Sequence, residues 1–207
     1  TLLFDTGGDG PTLLKNMATL GIDPQDIDVV ILSHIHGDHT GGLAALLSTG
    51  ARPTVYVPRS FPPSFKADVR RYTTLKEVTD PAEILPGVFT SGEVGSGIVE
   101  QALAVETGQG LVVITGCAHP GVVEMVRRAK QAVPSEVFLV LGGFHLGSAS
   151  QRQIASIIAD FRALGVQRVA PCHCTGERAM RAFAVAYGAD FVQNGVGRVI
   201  TLDAPGE

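Results

Sequence analysis

Ser33-His34-Ile35-His36-Gly37-Asp38-His39-Thr40-Gly41-Gly42 places four metal-ligating side chains, His34, His36, Asp38 and His39, within six residues. Three of the chain's six histidines are spent there. Upstream, Ile27-Asp28-Val29-Val30-Ile31-Leu32 is apolar and largely β-branched, the pattern of a short buried strand. Downstream, Thr40 to Leu47 reads as the start of a helix. The cluster therefore occupies a strand-to-helix loop, where a rigid scaffold can aim several side chains at one point. In an extended segment His34 and His36 share a face. Asp38 and His39 follow the turn at Gly37 and reach a second position. Imidazole nitrogen and carboxylate oxygen together suit a borderline-soft ion such as zinc.

The rest of the chain predicts the scaffold around this loop. Its 207 residues, 45% hydrophobic and 17% charged, suffice for one well-buried globular domain spanning 1–207. A net charge of -4 and 6% aromatic residues argue against a nucleic-acid-binding surface. No apolar run is long enough to span a bilayer. Cys172 and Cys174 are too close for an ordinary disulfide, and with Cys117 they favour a reduced, cytoplasmic setting. The chain opens without Met inside an expected strand at 2–5, so a preceding segment is expected to be missing.

A helix is expected at 11–20, started by Pro11 and stopped by Gly21, with strands at 28–33 and 54–57 and a helix over 40–48. Residues 58–97, rich in Pro and Gly, read as an irregular flap. Beyond them strands are expected at 98–105, 111–115, 136–141, 167–171, 190–193 and 197–202. Helices are expected at 121–132, 150–164 and 176–187. Alternation of this kind predicts an α/β layered fold. Arg52, Arg59, Lys66, Arg70 and Arg71 read by default as solvated surface, with contact to a phosphate or carboxylate as the alternative. Phe61 and Phe65 either line an entrance or pin the flap to the core.

His119, His145 and His173 each follow a buried strand, where open α/β folds bind ligands. Asp5, at the end of the first strand, is either a turn former or a partner for a histidine ligand. Thr175-Gly176 opens a helix, a candidate site for an anionic group or simply a helix cap. The cysteines read as small, buried and reduced, because neighbours in an extended segment point apart.

Asp5 within Leu3-Phe4-Asp5-Thr6-Gly7, the His34-x-His36-x-Asp38-His39 signature and the later single histidines resemble the metallo-β-lactamase superfamily. Ile114 to Gly121, Leu141 to Leu146 and Pro171 to Glu177 further resemble its dihydropterin-ribofuranosylaminobenzene-phosphate synthase-like subgroup. The resemblance implies a four-layer αββα sandwich, here lacking its first N-terminal strand or strands. It implies His34, His36 and His119 on one metal, Asp38, His39 and His173 on a second, and Asp5 orienting a ligand. All-nitrogen ligation of the first metal favours zinc, two ions being expected and one ion, iron or manganese being alternatives. The acidic residue that bridges both ions in most two-metal relatives is absent at Gly142-Gly143-Phe144-His145. His145 is then a replacement ligand, a general acid or a substrate contact.

Two close cations lower the pKa of a shared water and supply a hydroxide nucleophile, with Asp38 as ligand and proton acceptor. The expected activity is metal-dependent hydrolysis of an ester, lactone, thioester or phosphoester, on a small substrate that is anionic or phosphorylated. The subgroup implies an alternative, a synthase of tetrahydromethanopterin biosynthesis releasing diphosphate. A non-catalytic metal-binding protein is the third reading.

Overall fold

The computed structural model describes residues 1–204. The chain divides into two compact units, Thr1–Thr79 and Asp80–Glu207. Each is an α/β arrangement around one sheet.

In the first unit four strands lie in chain order, β1 (Leu2–Phe4), β2 (Val29–Ile31), β3 (Thr54–Pro58) and β4 (Leu75–Val78), all parallel. Parallel neighbours need crossover connections, and the intervening segments are helical: α1 (Gly10–Thr19), α2 (Gly37–Thr40), α3 (Leu43–Ser48) and α4 (Pro63–Arg70). Val29, Val30 and Ile31 are all buried, as expected of a strand covered on both faces. Met17, Leu32, Leu46, Val55, Val57 and Phe61 belong to the core around it. Asp9 starts α1 by accepting the Thr12 N–H at 2.8 Å, and Pro11 sits in its first turn. The helix expected over 40–48 is split into α2 and α3 at Gly41-Gly42. A Cβ at Gly42 would stand 2.1 Å from the Thr6 carbonyl oxygen, so only glycine lets the loop after β1 approach here.

The second unit holds a six-stranded sheet. Its strands are β5 (Ala82–Leu85), β6 (Val88–Thr90), β7 (Leu103–Thr107), β8 (Gly110–Thr115), β9 (Val137–Gly143) and β10 (Arg168–Cys172). Strands β5 to β8 form an antiparallel meander, whereas β8, β9 and β10 are parallel. The parallel part carries α5 (Val122–Ala132) and α6 (Gln151–Ala163) in its crossovers, and α7 (Glu177–Tyr187) follows β10. Phe144, Phe161 and Phe183 meet with ring centroids 5.4–5.6 Å apart at the centre of the larger core. No helix among the described residues is long and apolar enough to cross a membrane.

Three expectations are corrected. Residues 58–97 are not irregular: they hold α4, β4, β5 and β6. Pro63 initiates a helix rather than breaking one, and Pro86-Gly87 turns between paired strands, Leu85 opposite Val88. Lys66 is not solvated but buried, donating to the Arg59 carbonyl and to Glu77, both at 2.8 Å. The final strands do not form. Phe191 makes one bridge to Val169, after which the Asn194 side chain bonds the Ala170 carbonyl at 3.2 Å, where a strand would present backbone. Residues 197–202 form no strand, although Ile200 and Leu202 pack against the smaller core of this unit.

Candidate metal centre

The first unit builds its donors from the ends of β1 and β2. Asp5 lies just past β1 in the left-handed region, at φ 58°. Its carboxylate accepts the Ser33 N–H and the Ser33 hydroxyl, each at 2.7 Å, and His39 Nδ1 at 2.7 Å. Ser33 Oγ also lies 2.9 Å from His34 Nδ1. A hydroxyl has one proton, and Ser33 gives its proton to Asp5. It can therefore only accept from His34, which places the proton of His34 on Nδ1. His39 is held in the same tautomer by Asp5. Both histidines thus keep the lone pair on Nε2, the condition for ligating a metal.

The spacing fits an ion as well. His34 Nε2 and His36 Nδ1 stand 3.1 Å apart. Two nitrogens at about 2.05 Å from a tetrahedral zinc would be about 3.3 Å apart. Asp38, which is exposed, brings Oδ2 to 3.5 Å from His39 Nε2. His34 is fully buried and His39 nearly so. Nitrogen and carboxylate groups are thus crowded at the end of β2, where they could hold a cation.

The second unit repeats the device with a residue that the sequence pattern did not single out. Glu100 is fully buried and accepts the backbone N–H groups of Ala118 at 2.8 Å and His119 at 2.9 Å. It also accepts from His119 Nδ1, again leaving the lone pair on Nε2. The strand expected over 98–105 begins only at Leu103. Val94 and Glu100 exchange both backbone hydrogen bonds, at 2.8 and 3.0 Å, folding the preceding loop back on itself. Thr90 donates to Gln101 at 2.6 Å, and Ser91 accepts the Ala102 N–H at 2.8 Å. A carboxylate interrupting Ile98-Val99-Glu100-Gln101-Ala102 was the available signal.

His145 and His173 follow β9 and β10, as placed from the sequence, and both are exposed. The His119 and His145 rings lie 4.2 Å apart between centroids. His173 borders a cleft of about 540 Å³ with Gly176, Met180 and Asn194. Thr175 ties β9 to the turn after β10, because its buried hydroxyl donates to the Cys172 carbonyl at 2.7 Å and accepts the Phe144 N–H at 3.1 Å. Gly176 and Glu177 also line the cleft.

Of the cysteines, Cys117 is buried, whereas Cys172 and Cys174 are half-buried, and none of the three is in a disulfide. The segment after β10 is not extended: His173–Thr175 is a 3₁₀ turn with His173 at φ 52°. Cys174 therefore turns toward Cys117 and His145. Hydrogen bonding to Cys117, then to His145, with the nearby His173, lowers the Cys174 thiol to about 5 against the opposing effect of burial. Burial, reinforced by Cys174, pushes the Cys172 thiol up. Among the described residues only Asp5, Ala118, His145 and His173 combine a side chain with positive φ. Each adjoins or is one of these donors, the distribution expected where backbone strain is retained for function.

Both α/β units thus carry histidine and carboxylate side chains at their strand ends. Residues 1–133 match the family model of the metallo-beta-lactamase superfamily, and the chain belongs to that superfamily. It is 32% identical to the 7,8-dihydropterin-6-methyl-4-(beta-D-ribofuranosyl)-aminobenzene-5'-phosphate synthase of Methanocaldococcus jannaschii, over 96% of this chain and 83% of the relative. Among solved structures it is similar to Tm1679, described as a metal-dependent hydrolase of the beta-lactamase superfamily. That match has a TM-score of 0.81 and 32% identity, covering 98% of this chain and 89% of the other. YhfI from Bacillus subtilis shares the fold at a TM-score of 0.67 and 14% identity, covering 95% and 85%.

Proposed function

We propose that this chain is a zinc-dependent enzyme with His34, His36, Asp38, His39, His119 and His173 as ligands. Its proposed reaction is the hydrolysis of a small ester, lactone, thioester or phosphoester. The observation that carries the reading is the set of Nδ1 partners, Ser33, Asp5 and Glu100, which leave Nε2 as the ligating atom of His34, His39 and His119. Bound zinc would supply Lewis acidity and an activated water. Asp5 and Glu100 hold their imidazoles in one tautomer and one orientation, so little reorganisation accompanies the reaction. Asp38, more than half exposed at its side chain, is placed to receive a proton from an incoming water. Substituting His34 and His39 by Ala removes bound metal and turnover together. A variant that keeps its full metal content overturns the assignment.

A second reading, synthase activity, is favoured by the identity to the archaeal synthase over 96% of the chain. Here the same residues would assist departure of a phosphorylated leaving group rather than attack by water. Incubation with a dihydropterin diphosphate and a ribofuranosylaminobenzene phosphate decides it: diphosphate release coupled to joining of the two supports the synthase, and its absence leaves hydrolysis.

A further inference from the structure

We propose that Cys117, Cys174 and His145, three residues of the second unit, form a thiolate–imidazole zinc site. Their ligand atoms all lie within 4.8 Å of one another. The three come from three separate segments, the loops after β8, β9 and β10, so sequence proximity does not account for the convergence. The backbone is shaped around them. His145 adopts φ 52°, and Ala118, directly after Cys117, adopts φ 61°. A Cβ on Gly143 would come within 2.7 Å of Cys174 Sγ and 2.3 Å of the Gly116 carbonyl oxygen. Glycine at that position therefore admits the sulfur, and the main chain cannot be moved aside to make room for a larger residue.

Two sulfurs and one imidazole are a soft-leaning donor set that selects zinc over magnesium or calcium. Three protein donors leave a fourth position open, the arrangement of catalytic rather than purely structural zinc. His145 is exposed and lines a cleft of about 360 Å³ with Leu146, Ser148 and Gln153, which gives that open position access to solvent. Cys172 is outside the set; its sulfur accepts from Asn194 Nδ2 at 3.5 Å instead. All three donors lie within the second unit.

The test is titration of the full chain, stripped of metal under reducing conditions, with cadmium alone, following the ultraviolet thiolate-to-metal charge-transfer absorption. The expected result is a saturating band that Cys117→Ser and Cys174→Ser each abolish and His145→Ala weakens. Cys172→Ser leaves it in place. A band that survives in the Cys117→Ser/Cys174→Ser double variant, or that Cys172→Ser removes equally, overturns the site, as does absence of a band in the parent protein. Because Cys117 is buried and its variant can misfold, the exposed His145→Ala variant provides an independent reading. If it folds and binds cadmium with undiminished affinity, the proposal fails.

Discussion

Replacing Glu100 by Gln changes almost no volume but removes the charge from a fully buried carboxylate. One oxygen accepts the His119 N–H and Nδ1, and the other accepts the Ala118 N–H. A glutamine has one acceptor end and one donor end. Whichever way it is turned, at least one backbone N–H faces an NH₂ group and is orphaned. An unsatisfied buried donor costs about 1–3 kcal/mol, and the remaining bonds lose their charge assistance. Stability should therefore fall by at least about 1 kcal/mol, measured as a lowered urea midpoint at unchanged slope. His119 also loses the anion that fixes its tautomer and raises its basicity. Outer partners of this kind are worth about 10–100-fold in metal affinity, or about 1.4–2.8 kcal/mol. Competition with a chromogenic chelator measures it. A folded Glu100→Gln variant with unchanged metal affinity would refute the claim that Glu100 positions His119 as a ligand.

The first unit offers two more tests. Gly42→Ala forces a Cβ against the Thr6 carbonyl oxygen, where backbone must move, and should destabilise the protein by about 1–3 kcal/mol in urea unfolding; a neutral substitution would show that the loop after β1 is free to retreat. The Glu77 carboxyl is held below its ordinary value of 4.5, first by Lys66 and then by Arg70. A depressed folded value means stability that is present above 4.5 and lost as the pH falls through the lower, folded value. Urea midpoints of the parent and Glu77→Gln should therefore differ at neutral pH and converge in acid, and a gap that widens on acidification would contradict the pairing.

The histidine loop was legible in the sequence because its information is local. An apolar β-branched run, a turn at Gly37 and four donors in six residues together specify where the chain turns and what it presents. The same holds for the parallel strands β2 and β3, the helix started by Pro11 and the histidines that close β9 and β10. Proline was ambiguous for a physical reason: it breaks a helix from within but starts one from the first turn, and Pro63 does the second.

Everything that tunes the donors was decided by contacts between distant segments. Asp5 and His39 are 34 residues apart, and Glu100 and His119 are 19 apart. Nothing in the local pattern of either acid distinguishes a buried histidine partner from a turn residue or a strand interruption. The tautomer of His34 likewise follows from where the one proton of Ser33 goes, which depends on the fold bringing Asp5 to it. Cys174 read as facing away from its neighbours in an extended chain, but the 3₁₀ turn at His173–Thr175 rotates it toward Cys117 and His145. The sequence by itself therefore determined that this protein carries clustered histidine and carboxylate side chains at strand ends of an α/β scaffold. Only the tertiary structure decided which nitrogen of each histidine carries the lone pair and which thiols converge, because hydrogen-bond partners and backbone handedness are set by segments that meet in space.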